Sequence, residues 1–275
     1  MIKRLTAVVF IFVCASVAWA VLAVVMQART HGMGGKLEGE VANLWGSPQA
    51  QTAPSVHFER VREVEVTEDR QIRIKRVRDE IDVPLDSSSV EVALSIDHRR
   101  KGLLWYATYA VDFEATYAVT SPDDLLFFEL ELPTVGAVYD GFRVVVDGVE
   151  VDPVSIQGGA ASVAIESGPG MQHAVLVAYS SRGMDTWRYR FGDSVASVRD
   201  FSLVMRTDFV DIDFPERSMS PSTKRRAGSG WELEWRYDNL LSGVQIGMKM
   251  PQRLNPGPWA AQVIAAAPVS LFLFF

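Results

Sequence analysis

LLWYATYAVDFEATYAVT, residues 103–120, decides the fold. Eighteen residues pass without Gly or Pro, and β-branched and aromatic side chains dominate. Those side chains suit a pleated, half-buried surface better than a helix, so the stretch reads as one long bent strand or two strands. The same pattern continues on both sides. Ser89 to Ile96 alternates through Val90, Val92, Leu94 and Ile96, and Val64, Val66, Ile72 and Ile74 alternate with charged neighbours.

Downstream, FRVVVDGVEV (142–151) reads as a hairpin, because Asp147-Gly148 supplies the two positive-φ positions of a tight turn. Leu125–Leu132, Ser162–Ile165 and Ala174–Tyr179 follow, the last two flanking a Ser167-Gly168-Pro169-Gly170 turn. Trp187–Phe191, Phe201–Arg206, Phe209–Phe214, Trp231–Tyr237 and Val244–Met250 complete the series. Short strands with turn signals between them predict an all-β, antiparallel β-sandwich over 56–250. Gly158-Gly159 and Ser180–Asp185 are the places where it would divide into two sandwiches.

The ends differ from this middle. Residues 1–26 carry only Lys3 and Arg4 as charges, and 259–275 carry none. The 232 residues between hold all 34 acidic residues against 25 basic ones, a net −9. An acidic body exerts no general attraction on nucleic acid. One Cys among 275 residues excludes a disulfide framework and a Cys-rich zinc module.

Leu5 to Met26 is 22 residues without a charge. As a helix it spans about 33 Å, against a hydrocarbon core of about 30 Å. Ala18-Trp19-Ala20 is a passable leader-cleavage site, but the apolar run continues past it, which favours an uncleaved transmembrane anchor. Lys3 and Arg4 before the span favour a cytoplasmic N-terminus, with the β-domain on the other side. Residues 27–55, rich in Gly, read as a linker, and Leu44 and Trp45 suit either the bilayer interface or a cap on the domain. Residues 251–258 read as a hinge, and 259–275 as the start of a second transmembrane helix, truncated at the chain end.

Candidate binding residues fall in two groups. Arg99, Arg100 and Lys101 stand beside Trp105 and Tyr106, a mixture suited to lipid phosphates or an acidic partner. Trp187, Tyr189, Trp231 and Trp235 would supply aromatic walls for a ligand pocket. Lys224-Arg225-Arg226 reads as a charged loop. Asp208, Asp211 and Asp213 read as the solvated face of a strand. No two of His31, His57, His98 and His173 have metal-clip spacing, and neither a nucleophile elbow nor a phosphate loop is present, so no catalytic residue, metal or cofactor is assigned.

The basic start and anchor at Lys3-Arg4, the stretch Gly230-Trp231-Glu232-Leu233-Glu234-Trp235, and Pro251–Phe275 together resemble CreD-type bacterial inner-membrane proteins. Asn255-Pro256-Gly257-Pro258 stands where that family carries a Gln-containing aromatic and basic signature. The resemblance implies a non-enzymatic envelope protein whose β-domain lies outside the cytoplasm, with the lipid bilayer and another envelope protein as partners. A ligand-sensing or transport-associated module is the alternative. Tyr117–Thr120, Leu130–Pro133 and Phe142–Gly148 are similar to a run in adhesion-type β-sandwich domains, which supports the fold class alone.

Overall fold

The computed structural model describes residues 2–68, 71–102, 104–134, 137–153, 155–157, 159–192 and 196–255, and then 259–260, 263–264 and 266–267. One helix, α1 (Ile2–Trp45), precedes sixteen strands. These are β1 (Gln49–Thr52), β2 (Ser55–Glu68), β3 (Gln71–Asp82), β4 (Ser87–Lys101), β5 (Leu104–Thr120), β6 (Leu125–Glu131), β7 (Asp140–Val146) and β8 (Val149–Val151). Then come β9 (Ser155–Gln157), β10 (Ala160–Glu166), β11 (Gln172–Met184), β12 (Thr186–Arg190), β13 (Ala196–Thr207), β14 (Thr223–Ala227), β15 (Gly230–Ser242) and β16 (Ile246–Lys249).

One layer of the sandwich is an eight-stranded sheet, β14-β15-β13-β4-β5-β11-β7-β8. A five-stranded sheet, β3-β2-β6-β10-β9, and a three-stranded sheet, β1-β12-β16, share its buried face. The long stretch at 104–120 is a single strand, paired along its length with β4 on one side and β11 on the other. Its odd-numbered residues from Tyr109 to Val119 face inward. They meet Phe128 of the five-stranded sheet, whose ring lies 6.0 Å from Tyr117, and Tyr189 of the three-stranded one. One cluster of buried apolar residues runs through all three sheets.

Buried glutamines tie the layers where β1 enters the core. Gln49 donates to Ser181 Oγ (3.0 Å) and to the Arg182 carbonyl (2.9 Å). Gln51 donates to the Glu131 carbonyl (2.9 Å) and accepts from the Tyr179 hydroxyl (2.7 Å). The amide N–H groups of both residues and Gln51 Oε1 have partners, while buried Gln49 Oε1 has none among the described residues.

Several expectations are corrected. The linker at 27–55 does not exist as such: α1 continues to Trp45, and strands begin at Gln49. Leu37, Val41 and Trp45, spaced four apart, put one helix face against Leu104, Tyr106 and Met184, and this packing outweighs the poor helix propensity of the glycines. Pairing is mixed, since β1·β12 and β4·β13 are parallel. Phe209–Phe214 makes only an isolated bridge at Asp213, so its aspartates lie on a loop rather than on a strand face. Lys224-Arg225-Arg226 lies on the edge strand β14. Ser180–Met184 continues β11 without a break, and Gly158 lies outside the described residues. The turn at 167–170 is present, and it passes the chain from the five-stranded to the eight-stranded sheet.

Thr6–Met26 within α1 has a mean hydropathy of 2.9, buries none of its length against the domain, and is long and apolar enough to cross a membrane. Most of 259–275 and three residues of the hinge, 256–258, lie outside the described residues. Of the former, Trp259, Ala260 and two further residue pairs are helical.

Candidate functional site at the anchored end of the sandwich

Three separate stretches converge where α1 meets the domain. The first is the docked end of α1. Lys101 Nζ lies 2.7 Å from the Glu40 carboxylate, and the Arg99 guanidinium sits 5.9 Å from the Trp45 ring. The second is the β4–β5 hairpin, where Gly102 takes φ +60°, a value that suits glycine. The third is the chain leaving β16. The Trp105 N–H donates to Asn255 Oδ1 at 2.6 Å, and Asn255 Nδ2 donates back to the Trp105 carbonyl at 3.1 Å. The Pro251 carbonyl is 2.8 Å from His98 Nε2, and Gln252 donates to Asp185 at 2.9 Å.

Trp105 is the centre of this collar. Arg253 stands 4.6 Å and Arg100 5.9 Å from its ring, both within cation–π range. Arg99 is held by Asp97. Of the three basic residues, Arg100 stands beside Trp105, while Arg99 and Lys101 face Trp45 and Glu40 of α1; Arg253 and Asn255 also meet Trp105. Tyr106 is different: it is 9% exposed and covered by Val41 and Met184. Burial, and then the nearby Glu38, Asp185 and Glu40, push its hydroxyl pKa up.

The second predicted group does not form a pocket. Trp187, Tyr189 and Trp235 are fully buried core. Trp235 Nε1 donates to the Met219 carbonyl at 3.0 Å. Trp231 is half-buried, with Lys224 and Arg226 each 4.0 Å from its ring, and it donates to the Val210 carbonyl at 2.8 Å. Its job is to fasten the edge strand. Inward-pointing aromatics on adjacent strands fill a sandwich interior before they line a cavity.

Opposite the collar lies an arrangement that local spacing does not reveal. His173 Nδ1 is 2.7 Å from Asp147 Oδ2, and its Nε2 is 2.6 Å from Ser167 Oγ. A carboxylate only accepts, so Nδ1 carries the proton and donates. Asp147 Oδ1 also accepts the Ala174 N–H at 2.8 Å. That bond first, and then His173, hold the Asp147 carboxyl below its usual pKa. The atoms match a Ser-His-Asp relay, yet the imidazole is only 3% exposed and the Ser167 N–H is committed to the Asp124 carbonyl. The relay ties the β7–β8 turn to the β10–β11 crossover. Ser167 and His173 flank one connection, β10–β11, and Asp147 comes from another, so only the Asp147-Gly148 and 167–170 turns were visible in the sequence.

No protein-family model matches the chain. No curated protein matches it. Among solved structures it is similar to one from Legionella pneumophila described as a candidate nutrient binding protein, at 9% identity and a TM-score of 0.48, covering 74% of this chain and 70% of that one.

Proposed function

We propose that this chain is a membrane-anchored protein of the bacterial inner membrane, with its N-terminus cytoplasmic and its β-sandwich outside. Its domain binds another envelope component or supports envelope integrity without catalysing a reaction, in the manner of the CreD-type layout. The observation that carries this reading is the shared exit of both apolar ends: Lys101–Glu40 pins the N-terminal helix, and Asn255–Trp105 pins the C-terminal chain, at one end of the sandwich.

The distances suit one bilayer face. From Met26, where the apolar span ends, to Leu37, where docking begins, is eleven residues of helix, or about 16 Å. From Asn255 to Trp259 the chain can reach about 14 Å. Both ends thus meet the same surface, and Trp259 arrives where an interfacial aromatic is favoured. The helix is continuous, so the domain is mounted at a set height rather than swinging on a linker. A fixed height raises the effective concentration of the domain toward partners in the same membrane.

The test combines a phenotype with a distance. Cells deleted for the chain are expected to become sensitive to osmotic and detergent stress, and the intact chain to restore resistance. The double variant Lys101→Glu, Asn255→Ala loses one ion pair and two hydrogen bonds, together about 2–3 kcal/mol of docking. Energy transfer from a label on residue 148 to a bilayer dye should then broaden, and rescue should fall. Unchanged stress sensitivity in the deleted cells contradicts the reading, as does full rescue with an unchanged distance distribution.

A further inference from the structure

We infer that the polar cavity on the outer face of the three-stranded sheet is a binding site for a small soluble oxyanion, a carboxylate or phosphate compound. The cavity encloses about 440 Å³ and is lined by Arg188, Arg190, Arg217, Glu216 and the backbone around Gly192 and Gly243–Gln245. Its volume falls in the range of small-molecule pockets.

The strand pattern explains the arginines. On β12, Trp187 and Tyr189 point into the core with no exposure, so Arg188 and Arg190 project to the opposite face. Arg190 donates to Thr52 Oγ1 at 2.9 Å, which fixes its guanidinium at the cavity edge. The third arginine arrives from the 215–219 loop. That loop is held down by the Met219 N–H donating to the Gln245 carbonyl at 2.8 Å and by Pro215 against Gly247, beside the Arg188 stem.

Two independent features mark the cavity as more than a charged surface. Arg188 Nε is buried and has no hydrogen-bond partner among the described residues. A buried N–H on a cation without an acceptor is costly, and oxygen atoms of a ligand would satisfy it. Arg217 adopts φ +59°, a conformation that disfavours a residue with a Cβ. Strain of this kind persists where the surroundings hold a side chain for use. Glu216 is the one acid among the lining residues, so the cavity is cationic on a chain whose net charge is −7. That contrast focuses the local field on anions.

Placement selects the source of the anion. The Thr186 end of β12 adjoins Asp185, which accepts from Gln252 in the collar. Arg190 lies four residues farther along the strand, about 13 Å toward the membrane-distal end. The cavity is therefore presented to dissolved anions rather than to headgroups of the bilayer that anchors the chain. The cavity itself is independent of the envelope role proposed above, and the choice of a soluble ligand rests on that membrane placement.

The test uses the full chain in a neutral detergent, with citrate and inorganic phosphate as probes. Isothermal titration and thermal shift should show saturable binding beyond the effect of sodium chloride at equal ionic strength. Arg188→Gln and the exposed Arg217→Ala should each weaken binding at least tenfold. Arg225→Ala, an arginine paired with Glu232 elsewhere, should leave it unchanged. Neither probe binding above the salt control overturns the inference, as does equal weakening by Arg225→Ala. Competition by vesicles of anionic lipid, at the same headgroup concentration as citrate, overturns the choice of a soluble ligand.

Discussion

Trp235→Ala is expected to cost about 3–5 kcal/mol of folding stability, the usual range for removing a buried Trp. The side chain is fully buried and belongs to the core cluster that the three sheets share. Its removal leaves a large void and deletes the hydrogen bond that its indole N–H now gives the Met219 carbonyl. A loss of this size takes about a fifth or more of the stability of an ordinary domain, about 5–15 kcal/mol. Trp231→Ala is the comparison. That ring is half-buried, and its cation–π contacts with Lys224 and Arg226 are worth about 0.5–1 kcal/mol each. Chemical denaturation should show a much smaller loss there. Equal losses at the two positions would contradict the assignment of Trp235 to the core and of Trp231 to the edge.

The second large effect is expected at Gly46, where α1 ends and the β-domain begins. Its N–H donates to the Ala42 carbonyl at 2.9 Å, closing the helix, and its φ is +104°. A Cβ there would overlap the Arg182 carbonyl oxygen of β11. The backbone conformation alone costs a substituted residue about 1–3 kcal/mol, and the collision adds to that. Relief requires helix and sheet to separate, which disturbs the Gln49–Arg182 bond and the contact of Ser47 with Met184. Gly46→Ala should therefore lower the melting temperature and open the helix–domain junction to protease. Gly141→Ala serves as the control, because Gly141 has φ +61° but nothing within 4 Å of a new Cβ. A similar melting-temperature loss at both would remove the argument for a tight helix–sheet junction.

Much of the sandwich was legible because strand signals are local. The run at 104–120, the Asp147-Gly148 hairpin and the alternation at 89–96 each declare themselves within eighteen residues; the first is one strand of the two readings left open, and the other two appear as read. The errors have a common cause. Glycines at 32, 34, 35 and 39 concealed a helix whose stability comes from Leu37, Val41 and Trp45 meeting strands far along the chain. Phe209–Phe214 has the composition of a strand, but among the described residues its strand pairing is limited to one bridge, Asp213 to Lys249. Lys224–Arg226 has the charge of a loop, yet it pairs with β15 along its length. Pairing is a non-local property, and composition alone does not supply it.

The sites follow the same division. Arg99, Arg100, Lys101 and Trp105 were found together because they share one hairpin. Arg253 and Asn255, some 150 positions away, were not connected to them. The alternation of Arg188 and Arg190 with Trp187 and Tyr189 was in plain view, but Arg217 comes from another loop. Asp147 meets His173 only after β7 has paired with β11, and Ser167 joins from the connection that precedes β11.

The central claim is that Thr6–Met26 remains part of the chain and holds the domain to a bilayer. Its most direct test uses residues 1–255 produced in a bacterial host, so that the second apolar segment cannot contribute. Membranes are washed in alkaline carbonate, and the protein is then weighed by mass spectrometry. The account predicts that the protein stays with the membranes and that its mass includes the residues before Ala20. Release into the carbonate supernatant, or a mature chain beginning after Ala20, would contradict it.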